Sequence, residues 1–189
     1  MIRLARLIAS DLRAKAEWCY GSRSNMAVVK VLCTDGTPAM IWYRLMQWAR
    51  RWRLKPLEML FNRINTVFCN CIIGRGAEFG PGFVLIHSMG VVINGNVRGG
   101  NNVKVEHQVT IGAEKRLHPT LGDDVFIGAG AKVIGGVRIG NRVRIGANAV
   151  VVKDVPDNAT VTGIPPAQTI RIRNMPGNED SGAKNSDTD

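Results

Sequence analysis

The sequence predicts a mainly β protein: a parallel β-helix of hexapeptide repeats, preceded by a short α-helical N-terminal region. Three observations carry this reading. From Ile73 to about Val155 an aliphatic residue recurs every six places, often followed by Gly, with a small or β-branched residue at the fifth place. Before Ile73, apolar residues fall at helical spacing among arginines. One long interruption, Gly112 to Thr120, breaks an otherwise near-continuous series. Self-similarity at a fixed short period marks a solenoid, and a period of six marks a parallel β-helix. Each six supplies a short strand and a turn, and its apolar side is buried only when coils stack.

In chain order, Ile2, Leu4, Leu7, Ile8 and Leu12 give residues 1–20 the spacing of an amphipathic helix, with Ser10-Asp11 a possible second start. Gly21-Ser22 breaks it, and Asn25 to Cys33 is read as helix. Asp35-Gly36 with Pro38 reads as a turn. A strong helix is expected from about Ala39 to Arg53, carrying Trp42, Tyr43, Leu45, Met46 and Trp48 among Arg44, Arg50, Arg51 and Arg53. Pro56 opens a further one through Phe61 and Ile64. This basic, Trp-rich segment is expected to cap the solenoid end. A membrane-surface helix, and so a peripheral membrane contact, is the alternative.

The repeat then runs Ile73 with Ala77, Phe79 with Phe83, and Leu85 with Met89. After two extra residues it resumes at Ile93 with Val97, Gly99 with Val103 and Val105 with Val109, then Ile111-Gly112. Beyond the interruption it continues from Leu121 with Val125 to Val151 with Val155. The interruption carries Glu114-Lys115-Arg116-Leu117-His118-Pro119, and a polar loop thrown out of a regular scaffold is a usual seat of function. The expected organisation is a helical region over 1–70, a β-helix over 71–173 and a disordered, polar tail over 174–189.

Composition narrows the partners. A net charge of +10 suits an anionic ligand or surface, but only 6% of residues are aromatic and no nucleic-acid-binding motif is present, so nucleic acid is not the expected partner. Cys19, Cys33, Cys69 and Cys71 are too scattered for a disulfide framework and read as reduced, buried thiols. No segment has the length of a membrane span, and Arg3 and Arg6 precede too short an apolar run for a signal peptide. A cytoplasmic location is expected.

The three histidines, His87, His107 and His118, all fall in the repeat. His87 and His107 each stand third in a hexad, three hexads and two residues apart. If three hexads make one coil, His107 lies one coil beyond His87, at the ~4.8 Å strand spacing. His118, on the loop, is expected to swing over the same face. Imidazole is the side chain suited to moving a proton at neutral pH. A three-His zinc site is the rival, but His107 and His118 are too far apart for a close His pair, so no metal is expected.

Several segments now resemble one family. The run Phe79-Gly-Pro-Gly-Phe-Val-Leu-Ile-His87-Ser-Met-Gly-Val-Val-Ile93 is similar to the active-site segment of serine acetyltransferases. So are Val109-Thr-Ile-Gly112, the His118-Pro119 loop, Ile127-Gly-Ala-Gly-Ala-Lys-Val-Ile-Gly135, Gly163-Ile-Pro-Pro-Ala167 and Tyr43-Arg44. The resemblance implies a left-handed β-helix, a homotrimer with sites between subunits, acetyl-CoA as donor and a small-molecule hydroxyl as acceptor. It implies His87 as general base and His118 as a residue of the acceptor site, which His107 is also expected to line. It implies Ala129, Gly130 and Arg144 as the residues that meet CoA.

The same resemblance shows departures. The Asp that precedes the catalytic His in serine acetyltransferases is Ile86 here; the Asp one coil earlier that pairs with that His is Ile72; the Arg before the loop His is Leu117. Those charges suit an amino acid. Their loss points to a sugar or sugar-linked hydroxyl, as in the family's polysaccharide-pathway members, with L-serine the alternative acceptor and a non-catalytic scaffold the reading of another class. Glu106 or His107 is then expected to hold His87 in place of the missing Asp.

Overall fold

A computed structural model describes residues 2–165 and 169–172. Four helices, α1 (Ile2–Tyr20), α2 (Asn25–Leu32), α3 (Thr37–Arg51) and α4 (Lys55–Phe68), precede a three-sided parallel β-solenoid. The first face stacks Ile72–Ile73, Val92–Ile93, Thr110–Gly112, Lys132–Ile134 and Val150–Val151. The second stacks Glu78–Phe79, Arg98–Gly99, Thr120–Leu121 and Arg138–Ile139. The third stacks Val84–Leu85, Lys104–Val105, Phe126–Ile127, Arg144–Ile145 and Ala159–Thr162, closed by the antiparallel Thr169–Ile172. Ile72 pairs with Val92, Val92 with Thr110, Thr110 with Lys132 and Lys132 with Val150, so coils carrying insertions alternate with regular ones.

The inward positions are those the period of six picks out. Ile73, Ile93, Ile111, Val133 and Val151 stack on the first face, and each is buried. Gly99 is inward too, and the reason is steric: a Cβ there would lie 2.3 Å from the ring of Phe79, one coil before. Met89 departs from the expected series. It is 61% exposed, and Val91 fills the inward place instead. The two extra residues belong to the turn around Met89, before Val91, rather than after it.

The helices close the solenoid's first coil. α3 turns Ala39, Met40, Tyr43 and Met46 onto Cys71, Ile73, Ala77 and Phe83 in one continuous core. The Tyr43 hydroxyl donates to the Ala77 carbonyl (3.2 Å) and accepts from the Phe79 N–H (3.1 Å), so it completes a coil edge that has no coil before it. α1 is one uninterrupted helix. Asp11, read as a possible start, is buried mid-helix, where its carboxylate binds Arg44 through Nε (2.6 Å) and Nη2 (3.0 Å) and accepts from the Gly82 and Phe83 N–H groups. α1 also packs Ala14 on Val84 and Ile86 of the third face. The capping expected of the basic segment is what its inner side does. Of the cysteines only Cys71 is buried; Cys19 and Cys33 are exposed and Cys69 is half-buried, so the expected buried thiols reduce to one. No described helix is long and apolar enough to cross a membrane. The 174–189 tail and the Pro166-Ala167 part of the closing motif lie outside the described residues.

Candidate active site

The corner between the third and first faces carries His87 and, one coil on, His107. Their ring centroids are 5.9 Å apart, edge to face, close to the separation that coil stacking dictates. The side chain of His87 is 53% exposed, and that of His107, in the matching turn one coil on, is 44% exposed. Next along the same corner come Ala129 and Gly130, whose N–H donates to the His107 carbonyl at 2.9 Å.

Neither Glu106 nor His107 holds His87. The partner is Asp35, from the turn between α2 and α3, whose Oδ2 lies 3.2 Å from His87 Nδ1. By sequence alone Asp35-Gly36 reads as an ordinary turn. The local fold explains how the turn reaches the solenoid. Gly36 has φ 78°, and a Cβ on it would lie 2.4 Å from the Leu85 carbonyl oxygen, so only glycine lets the turn press this close to the strand before His87. The buried Lys15 of α1 donates to the Asp35 carbonyl oxygen and pins the turn from behind. The other carboxylate oxygen, Oδ1, accepts from the Gly36 N–H (2.7 Å) and from Ser88 Oγ (3.2 Å).

This wiring fixes the chemistry available to the imidazole. Burial alone would raise the Asp35 carboxyl. The hydrogen bonds from Gly36, His87 and Ser88, with the charge of His87, instead bring it below its ordinary value. An ionised carboxylate at Nδ1 keeps the proton on that nitrogen and leaves the Nε2 lone pair to accept one. Glu106 does face His107, with Oε2 3.6 Å from Nδ1, but that pair stands one coil away.

His118 does not join this corner. The loop after Thr110–Gly112 leaves from the far end of the first face and folds back through a Glu114–Leu117 bridge. His118 Nε2 lies 3.0 Å from Asn96 Nδ2 at the corner between the first and second faces. Its Nδ1 is buried without a partner among the described residues. The first face exposes Ile72 (48%) and Val92 (39%), flanked by Met89 (61%) in the His87 turn and Leu117 (62%) on the loop. Ile86, the residue noted above as standing where an Asp would precede the catalytic His, is buried against α1. Within one chain, then, the three imidazoles occupy two corners, and no group of three metal-ligating side chains is present among the described residues.

The other predicted residues fall beside the His87–His107 line. The Ala129 carbonyl accepts from the Asn148 N–H at 2.8 Å. With the Gly130 N–H also engaged, the Ala129 N–H and the Gly130 carbonyl are the backbone groups here without a partner among the described residues. Arg144 lies on the third face with its guanidinium 4.8 Å from the Phe126 ring centroid, and Phe126 stacks in turn on Trp18 of α1 at 5.2 Å.

The family model described as "Bacterial transferase hexapeptide (six repeats)" matches residues 118–153. The chain is 36% identical over 164 residues to serine acetyltransferase of Synechococcus elongatus, covering 85% of this chain and 66% of that protein. It is 37% identical to the Mycobacterium tuberculosis serine acetyltransferase, covering 82% of this chain and 69% of that one, and 34% identical to the Helicobacter pylori strain J99 protein, covering 85% and 90%. The chain thus spans about two thirds of the first two relatives and most of the third. Among solved structures, Neisseria gonorrhoeae serine acetyltransferase superposes with a TM-score of 0.83 at 29% identity, over 93% of this chain and 68% of that one. A serine acetyltransferase in complex with CoA gives 0.80 at 26% identity, over 90% and 70%.

Proposed function

The chain belongs to the serine acetyltransferase family, and from that premise we propose that it transfers an acetyl group from acetyl-CoA to a hydroxyl at the His87 corner. The observation that carries the proposal is the His87–Asp35 pair: an exposed imidazole with Nδ1 held by a carboxylate and no hydrogen-bond partner on Nε2 among the described residues. His87 Nε2 takes the proton of the acceptor hydroxyl as its oxygen attacks the thioester carbonyl. The new C–O bond forms, the C–S bond breaks, and the proton passes from the imidazole to the departing thiolate. The acyl carrier lies along the corner, with its arm on the Ala129 N–H and the Gly130 carbonyl and its phosphates towards Arg144. A superposing relative solved in complex with CoA supports this donor.

Homotrimerisation is part of the proposal. His118 stands at the opposite end of the first face from His87, so a neighbouring copy is needed to bring a His118 to a His87. The exposed Ile72 and Val92, with Met89 and Leu117 at the two ends of the face, give it the apolar surface such a neighbour would cover.

For the acceptor, the relatives' names back L-serine better than the sugar reading, and nothing among them points to a polysaccharide pathway. One observation keeps a neutral hydroxyl as the second reading: Ile72, Ile86 and Leu117 offer no charge to an ammonium or a carboxylate. Thiol release from acetyl-CoA, measured with L-serine and with a panel of sugars, separates the two. Release with L-serine is the expected result. Release with a sugar alone would move the acceptor and leave the transfer standing, and no release with any hydroxyl would overturn the transfer.

Asp35 is proposed as a positioning residue. Asp35→Asn keeps the shape and removes the charge at Nδ1. It is expected to lower kcat at least about tenfold. The KM for acetyl-CoA should barely move, and stability should change by no more than about 1 kcal/mol, because the pair is half-exposed. An unchanged kcat would reject the role.

A further inference from the structure

The helical cap has an outer side that acetyl transfer does not use. Between the N-terminal turns of α1, the C-terminal half of α3 and the second face of the first coil lies a cleft of about 840 Å³. It is away from the His87 corner. Its floor is Glu78 to Pro81, whereas His87 lies past the third-face strand of that coil.

The charge of this cleft is one-sided. Arg3, Arg6, Arg50, Arg51 and Arg75 line it. Arg50 and Arg75 share a single carboxylate, Glu58, at 3.2 and 3.9 Å. Glu78 is drawn towards Arg98 at 3.7 Å. Arg3, Arg6 and Arg51 have no carboxylate partner among the described residues. The start of α1 worsens the imbalance, because its first turn carries no acid and its backbone dipole presents positive charge to the same space. Like charges gathered at a helix N-terminus are unfavourable unless an anion joins them.

The rim of the cleft says which anion. Trp52 lines it and is 62% exposed, and beyond it, from the α3–α4 turn into the start of α4, Leu54 and Leu57 are each 38% exposed, interleaved with Arg53 and Lys55. A free phosphate would need the arginines and no exposed indole. A bilayer surface takes both, since indole settles at the headgroup level and arginine meets the phosphates there. We propose that this cleft and its Trp52 rim dock the protein on an anionic phospholipid surface, with headgroup phosphates seated among Arg3, Arg6 and Arg51. The docking is peripheral and independent of which hydroxyl is acetylated.

The test is co-sedimentation of the full chain with phosphatidylcholine vesicles, with and without about 30 mol% phosphatidylglycerol. Binding is expected to the anionic vesicles only and to weaken as salt is raised. The combined Arg3→Ala, Arg6→Ala, Arg51→Ala variant should bind at least about tenfold more weakly. Trp52→Ala should weaken binding as well, and acetyl transfer should be unaffected in both. Arg51→Glu alone, at an exposed position, gives the same reading should the triple variant fold poorly. Equal binding to both vesicle types, or full binding by the variants, would overturn the proposal. So would binding of inorganic pyrophosphate or duplex DNA by a protein that leaves anionic vesicles in the supernatant.

Discussion

Replacing His87 by alanine is expected to lower kcat by about 10²- to 10⁴-fold, the range that a positioned general base contributes. The KM for acetyl-CoA should stay close to that of the unaltered protein, because the residues assigned to CoA, Ala129, Gly130 and Arg144, belong to later coils. The fold should tolerate the change, since His87 is exposed and packs in no core cluster. Its effect should not add to that of Asp35→Asn. Once the imidazole is gone the carboxylate has nothing left to orient, so the double variant should be about as slow as His87→Ala alone. Steady-state thiol release from the three variants checks this. Full additivity would mean that Asp35 acts on something other than His87.

The second large effect concerns stability. Arg44→Ala is expected to cost about 3–5 kcal/mol, the cost of breaking a buried ion pair by removing one partner. Arg44 and Asp11 are each about 1% exposed. Arg44 also donates to the Phe79 and Gly80 carbonyls at 2.9 and 2.6 Å, so its removal leaves the Asp11 charge and two coil-edge acceptors short of a partner together. α1 would lose its main polar anchor to the first coil, and Lys15, which braces the Asp35 turn, sits one helical turn further on. Replacing both partners by apolar residues of similar volume should cost markedly less than either single change. Chemical denaturation at one fixed protein concentration measures all of these, and a loss below about 1 kcal/mol for Arg44→Ala would contradict the anchoring role.

The solenoid was legible because its physics is local. Every sixth residue must be apolar to face the axis, and a coil that lacked this would not stack. The stacking of His107 on His87 followed from the same count. The position of His118 was legible too and was missed. The loop follows the first-face residue Ile111, so it departs from the end of that face, while His87 and His107 stand at its beginning. Met89 was misplaced because an insertion inside a turn can be put on either side of the next inward residue, and only burial of Val91 decides. Asp35 was not legible. Its contact with His87 joins residues 52 places apart, and its local signature, Asp-Gly before a proline, is that of any turn. Nothing periodic ties a helix–helix turn to a solenoid corner. The tie is the close approach of Gly36 to Leu85, which belongs to tertiary packing.

A crystal structure of the protein with CoA bound is the most direct measurement of the central claim. The expected structure has the CoA sulfur beside His87 Nε2, the pantetheine arm along Ala129 and Gly130, Asp35 on Nδ1, and the His118 of a neighbouring copy facing the same groove. A CoA seated on another face, with no copy near His87 and the imidazole open only to solvent, would contradict it.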